Sequence, residues 1–179
     1  MTEAERISHQ PIAQALRSLV SDILNESFAS PGNICVVGIA EGGIQVSQRI
    51  ASALEQELGA TIDHGTIDIT FHRDDIGLKP ITRMSFPTNL GFPIDDRIVI
   101  LCDDVIFSGR TIRAALNELF DQGRPEAIRL AVLFDRGHRK LPVQPTYTGF
   151  SQPVEPGRTV SVELAPAYPE QDRIVIGPA

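Results

Sequence analysis

"RIVILCDDVIFSGRT", residues 97–111, decides how the chain is read. Its first half is a continuous apolar run with β-branched residues, the pattern of a strand buried on both faces of a parallel sheet. Two adjacent carboxylates, Asp103 and Asp104, stand at its end, and a small hydroxyl-rich turn, Ser108-Gly109-Arg110-Thr111, comes shortly after. A helix pattern runs from about Arg110 to Gln122 and stops at Gly123, a residue suited to a C-cap. A buried strand, a turn and a helix in that order make the first part of a βαβ unit. The expectation is an α/β domain with ligands at the C-terminal ends of its strands.

The same grammar repeats on either side. "ICVVGI" (34–39) is a second buried strand, followed by the glycine turn Ala40-Glu41-Gly42-Gly43. A helix from about Ile44 to Leu58 should turn Ile50, Ala51, Leu54 and Leu58 inward. "IRLAVLF" (128–134) is a third buried strand, with the polar loop "DRGHRK" after it. Ahead of them all, a helix from near Pro11 to Phe28 puts Ile12, Leu16, Leu19, Val20 and Ile23 on one face, and "SPGN" stops it. "TIDITF" (66–71) alternates as a strand with one buried face, and further strands are expected at 159–164 and 174–176. Residues 73–96 hold Pro80, Pro87 and Pro93 and sustain no period, so they read as a lid. The whole is a doubly wound α/β fold.

Bulk properties narrow the class. A chain of 179 residues with 42% hydrophobic and 22% charged content suits one globular domain. No apolar run approaches the ~20 residues of a membrane span, and the polar N-terminus is unlike a secretory signal. The two cysteines, Cys35 and Cys102, lie inside strand patterns and read as buried thiols of a cytoplasmic protein. The four histidines show no zinc-ligand spacing. A net charge of −7 argues against a generalised nucleic-acid surface, so any RNA role needs a local basic patch.

The chemistry is concentrated after the 97–102 strand. Gly109 lets the backbone turn tightly, and the Ser108 and Thr111 hydroxyls can converge with helix-start N–H groups on one anion. That describes a phosphate cradle. The carboxylates beside it suit neighbouring hydroxyls, or a magnesium ion held partly through water. Phosphate plus diol points to a ribose 5-phosphate. A nucleotide hydrolase would need a G-x-x-x-x-G-K-[ST] loop, which is absent, and "GIAEGG" is not the dinucleotide fingerprint G-x-G-x-x-G. An exposed strand end with no ligand is the remaining alternative.

On these residues the chain resembles a known family. "VILCDDVIFSGRT" looks like the phosphoribosyl pyrophosphate (PRPP) motif of type I phosphoribosyltransferases. Together with "ICVVGI…GGI", "GTIDITFHRDDI" and "LAVLFDRGHRKLP", in that order, it is similar to the pyrimidine operon regulatory proteins, over roughly residues 10 to 176. The resemblance implies a type I phosphoribosyltransferase fold: one domain over 1–179, a mostly parallel central sheet flanked by helices, a flexible lid and a small hood. It implies a uracil phosphoribosyltransferase that makes UMP and pyrophosphate from uracil and PRPP, with Mg²⁺. It further implies a UMP-dependent messenger-RNA-binding role and a homodimer or higher oligomer.

Carried onto this sequence, Asp103 and Asp104 would hold the ribose hydroxyls or the Mg²⁺, with Arg73 as a further catalytic residue at the lid base beside Asp74. Val105, Ser108, Gly109, Arg110 and Thr111 would hold the 5-phosphate. Ala40, Glu41, Gly42 and Gly43 would form the pyrophosphate loop, and Phe134, Asp135 and Arg136 the base site. Arg17, Arg139 and Lys140 are candidate RNA contacts. The pyrophosphate loop departs from the family's basic-Thr-Arg-Gly pattern, and Arg17 is the one basic residue of "PIAQALRSLVSDILNE". Phe107 stands where purine enzymes of this class usually carry an acid. A nucleotide-sensing module that keeps the pocket but turns over weakly is the alternative reading.

Overall fold

The computed structural model describes residues 4–26, 30–70 and 87–178. In chain order the elements are β1 (Glu5–Ile7), α1 (His9–Asn25), β2 (Ile34–Ile39), α2 (Gly43–Leu58), β3 (Asp63–Ile67), β4 (Ile98–Ile106), α3 (Arg110–Gln122), β5 (Ala127–Asp135), β6 (Tyr147–Ser151), β7 (Arg158–Glu163) and β8 (Arg173–Pro178). Arg73, Asp74 and the first part of the expected lid lie outside the described residues.

Five parallel strands form the central sheet in the order β3-β2-β4-β5-β6. On one face α1 and α2 bury Ile12, Leu19, Ile23, Val46, Ile50 and Leu54 against Ile34, Val36, Ile100 and Leu133. On the other, α3 buries Ile112, Ala115 and Leu119 against Val37, Val99, Leu101 and Val132. Covered on both faces, β2 is buried at every position, which explains its unbroken apolar run. Gly38 lets α2 close onto this strand, because a Cβ there would stand 2.3 Å from the Ser47 Oγ. A second, antiparallel sheet, β1-β8-β7, forms the hood. The buried Asp172 pins it to α2 by an ion pair with Arg49, which also donates to Ala165 O at 2.8 Å, and Asp172 itself accepts the Ala165 N–H at 2.9 Å.

Several boundaries differ from expectation. β4 runs through the two carboxylates to Ile106, because its ladder with β5 continues from Asp103↔Val132 to Ile106↔Asp135. β3 sits earlier than "TIDITF": it ends at Ile67, opposite the last residue of β2, and Asp68 then turns the chain by accepting the Thr70 N–H at 2.9 Å. Ile67 and Ile69 are nonetheless both buried. α1 ends at Asn25 rather than near Phe28, with Glu26 already extended. Leu58, expected inward, is 37% exposed where α2 ends against the left-handed Gly59.

Gly123 does end α3, but in extended backbone rather than the left-handed conformation. It is there for packing, since a Cβ would come within 2.9 Å of Ile94 Cγ1. Within the expected lid segment, residues from 87 onward are anchored: Asn89 bridges Thr66, and Leu90 and Ile94 are buried.

Candidate functional site

The C-terminal ends of β2, β4 and β5 bring "AEGG", "DDVIFSGRT" and "DRGHRK" together. Asp103 is 4% exposed, and its Oδ1 accepts the Asp104 N–H at 3.0 Å. Its Oδ2 is buried with no hydrogen-bond partner. Burial pushes the Asp103 carboxyl well above the usual carboxylate range, and the neighbouring Asp104 charge adds to this. Asp104 is raised too, chiefly by burial, although its Oδ1 accepts the Val105 N–H at 2.7 Å. A buried acid with an unpaired oxygen beside a half-buried one forms a site that charge from a ligand or cation would relieve.

The glycine turn lies directly on this pair. A Cβ at Gly42 would stand 2.3 Å from the Asp104 Cγ and 2.4 Å from each of its oxygens. A Cβ at Gly43 would stand 2.2 Å from the Cys102 carbonyl oxygen. Both glycines are required for close approach, and neither has a positive φ. Gly42 is also the N-cap position of α2, so the positive end of that helix meets the Asp104 carboxylate. Ala40 is half-buried and donates its N–H to Ile67 O at 2.9 Å, while Glu41 is exposed.

The second turn is built from both neighbouring loops. Gly109 has φ 89° and caps α3, where the first-turn N–H groups face outward as at any helix start. Arg110 and Thr111 are exposed there, and Ser108 Oγ accepts the Arg110 N–H at 3.3 Å. Ser108 O in turn accepts the N–H groups of Lys140 and Leu141 at 3.0 and 3.1 Å.

The loop after β5 explains the rest. Asp135 is its hub: Oδ1 accepts the Gly137 N–H at 2.8 Å and Oδ2 pairs with Arg139 at 2.6 Å. Arg139 also donates to Phe107 O (2.9 Å) and Val143 O (3.1 Å), and the first of these ties this loop to the segment leading into the Ser108–Thr111 turn. Among the candidate RNA contacts, Arg139 is therefore committed internally, whereas Arg17 and Lys140 are exposed. Phe134 is fully buried and stacked on Phe150, with ring centroids 6.1 Å apart. Its main chain runs in the ladder between β4 and β6. Arg136 lays its guanidinium over the Phe107 ring, 4.4 Å from the centroid, and donates to Arg158 O at 2.7 Å. Sequence reasoning passed over Phe107 as a site residue, as well as the Arg139 clamp and the Gly42–Asp104 approach. An exposed aromatic between the acids and the phosphate turn was the available signal for the first.

Among the described residues, no cluster of three or more His, Cys, Asp or Glu could hold a metal. Two carboxylates, one with an unpaired oxygen, fit an ion that takes one or two protein carboxylates and otherwise keeps water and substrate oxygens, as Mg²⁺ does. No helix of the described residues is long and apolar enough to cross a membrane.

A family model, the phosphoribosyl transferase domain, matches residues 4–166. The bifunctional protein PyrR of Clostridioides difficile (strain 630) is 38% identical over 162 residues, 90% of this chain and 91% of that protein. Its counterpart in Deinococcus radiodurans is 40% identical over 165 residues, covering 90% and 88%. In fold, the chain is similar to the crystal structure of the hypoxanthine phosphoribosyltransferase of Trypanosoma cruzi, with a TM-score of 0.65 over 96% of this chain and 95% of that one at 15% identity. A parallel five-stranded sheet, an acidic pair at its central strand and a Ser-Gly-Arg-Thr turn after it thus coincide with matches along nearly the whole chain, and the protein belongs to the phosphoribosyltransferase family and, within it, to the bifunctional PyrR proteins.

Proposed function

We propose that this protein transfers the phosphoribosyl group of PRPP to uracil, giving UMP and pyrophosphate, and couples occupancy of that pocket to control of pyrimidine genes through RNA. The observation that carries the reading is the contact of the Asp103–Asp104 pair with the Gly42 turn on one side and its continuity with the Ser108–Thr111 turn on the other. A sugar that offers two hydroxyls, a terminal phosphate and an anionic leaving group matches those three parts.

In this reading the 5-phosphate sits on Ser108, Gly109, Arg110 and Thr111, with the Val105 segment leading into the turn, where the α3 N-terminus favours an anion. Asp103 and Asp104 orient the ribose hydroxyls, and both also fit Mg²⁺. The bound ion supplies charge neutralisation for the leaving pyrophosphate. Backbone N–H groups of Glu41, Gly42 and Gly43 hold that anion without a basic side chain, while the Ala40 N–H, bonded to Ile67 O, fixes the start of the turn. The bond between the anomeric carbon and pyrophosphate breaks, and its electron pair leaves with pyrophosphate. Uracil N1 forms the new bond and loses its proton. Positioning and exclusion of water carry most of the catalysis. Phe134 and Asp135 present main chain beside the base, and Arg136 flanks it. Arg73, outside the described residues, has a catalytic part in this reading through the resemblance alone.

RNA control would use exposed cations such as Arg17 and Lys140 on a homodimer or higher oligomer in the cytoplasm. Such binding should weaken steeply with salt.

The test is incubation with PRPP, Mg²⁺ and each nucleobase, reading pyrophosphate release. Release with uracil alone is expected. UMP binding without release would replace the enzyme with a nucleotide sensor. Filter binding to the cognate messenger leader at two salt concentrations tests the RNA half.

A further inference from the structure

Phe107 is out of place for a merely structural residue. Among the described residues, four large hydrophobic side chains are exposed: Leu58, Phe107, Phe120 and Tyr168. Phe107 alone stands in the mouth of the site, 42% exposed, between the acidic pair and Ser108. A single exposed apolar side chain needs no partner by itself, and what sets Phe107 apart is its place at the site and the way it is held.

The ring is also unusually well held. Ile106 pairs with Asp135 in the parallel ladder, so residues 107 and 136 leave the sheet side by side. The Arg136 N–H continues the ladder by donating to Ile106 O at 3.2 Å. From that base the guanidinium lies over the Phe107 ring at 4.4 Å, and its far end donates to Arg158 O of the hood at 2.7 Å. Arg136 Nε is buried without a hydrogen-bond partner, so the group is aligned to the ring at the expense of one donor. Arg139 fixes the same residue from behind, through Phe107 O at 2.9 Å. Of two arginines from one loop, Arg136 therefore covers the ring and Arg139 holds the main chain of a residue that stays 42% exposed.

We propose that the Phe107 ring is the apolar wall against which the nucleobase packs, and that Arg136 is a positioning residue that holds this wall by stacking on it and anchoring in the hood. The inference rests on the phosphoribosyl-uracil reading above. It adds the residue that senses the base as distinct from the sugar phosphate. A planar base gains from contact with a fixed aromatic surface, typically about 1–3 kcal/mol. Preorganisation by Arg136 removes the cost of ordering the ring on binding.

The experiment compares UMP with ribose 5-phosphate, which carries every group except the base, by calorimetry on the full chain. Phe107→Leu and Phe107→Ala should weaken UMP, the alanine by about tenfold or more, and leave ribose 5-phosphate within about twofold. Arg136→Met should weaken UMP several-fold with the same selectivity. The chain has no tryptophan, so Phe107→Trp places a sole indole reporter in the wall. Its emission should change on UMP addition and stay unchanged with ribose 5-phosphate. Equal loss of both ligands in Phe107→Leu, undiminished UMP affinity in Phe107→Ala, or an indole emission of Phe107→Trp that is blind to saturating UMP would each overturn the inference. A wild-type protein that binds UMP no better than ribose 5-phosphate would remove the underlying reading as well. A base contribution that survives in Phe107→Ala removes the inference alone.

Discussion

Replacing Gly42 with alanine isolates the contact between the glycine turn, proposed above to hold pyrophosphate, and the acidic pair. The added Cβ would lie 2.3 Å from Asp104 Cγ and 2.4 Å from each carboxylate oxygen, whereas ordinary contact begins at 3.4 Å. The obstacle is therefore relieved only by a shift of about 1 Å, of the Asp104 side chain or of the turn. Asp104 is constrained by its bond to the Val105 N–H, and the turn by Gly43 against the Cys102 carbonyl. Overpacking of this kind costs about 1–3 kcal/mol. A 1 Å misplacement of a positioning group costs on the order of 10² in rate.

Pyrophosphate release by Gly42→Ala should therefore fall about a hundredfold in kcat/KM. PRPP with Mg²⁺ should lose most of its thermal stabilisation of the protein, whereas UMP, which has no pyrophosphate, should keep its own. Gly42→Arg restores a cation where the family pattern has one, but meets the same obstruction and should be no better. Wild-type turnover by Gly42→Ala, or a gain by Gly42→Arg, would refute the reasoning.

Three further outcomes follow from the same geometry. Asp103→Asn should raise the melting temperature of the ligand-free protein at pH 7.5 while abolishing PRPP binding, because it removes a buried acid whose folded pKa is raised. The sign follows from that direction: the protonated form is favoured by folding, so the acid's stabilising contribution is full below its unfolded value of 3.8 and is lost as pH rises through the folded value. The advantage of asparagine should accordingly shrink as pH falls, which thermal melts at two pH values measure. Gly109→Ala forces a side chain to φ 89° and should cost about 1–2 kcal/mol of stability and weaken ribose 5-phosphate in calorimetry. Arg139→Met leaves the half-buried Asp135 unpaired and frees Phe107 O; denaturant melts should show about 2–3 kcal/mol of lost stability.

The buried central strands, the acidic pair at the end of one of them and the turn that starts α3 could all be read from local pattern. Continuous β-branched runs occur where both faces of a strand are covered, and glycine with hydroxyls after such a run marks a helix start. The inward faces of α1 and, Leu58 apart, of α2 followed from their period in the same way. What escaped was whatever depended on partners distant in sequence. β6 was missed because Gly149 breaks its alternation, and that glycine is needed where the Leu133 carbonyl and Ala15 press in. β1 was missed because three residues carry no period of their own, and β8 pairs them from the far end of the chain.

In the site the division is sharper. The sequence by itself determined which chemical groups are present: two carboxylates, a hydroxyl-bearing turn at a helix start and a glycine turn without a cation. The tertiary structure decided that Gly42 touches Asp104, that Asp103 keeps an unpaired oxygen, and that Arg139 serves the loop while Arg136 serves Phe107. Local pattern encodes covalent neighbours and helix or strand periods. A carboxylate's charge state, an arginine's partner and the room beside a glycine are set by groups that packing brings together from distant parts of the chain.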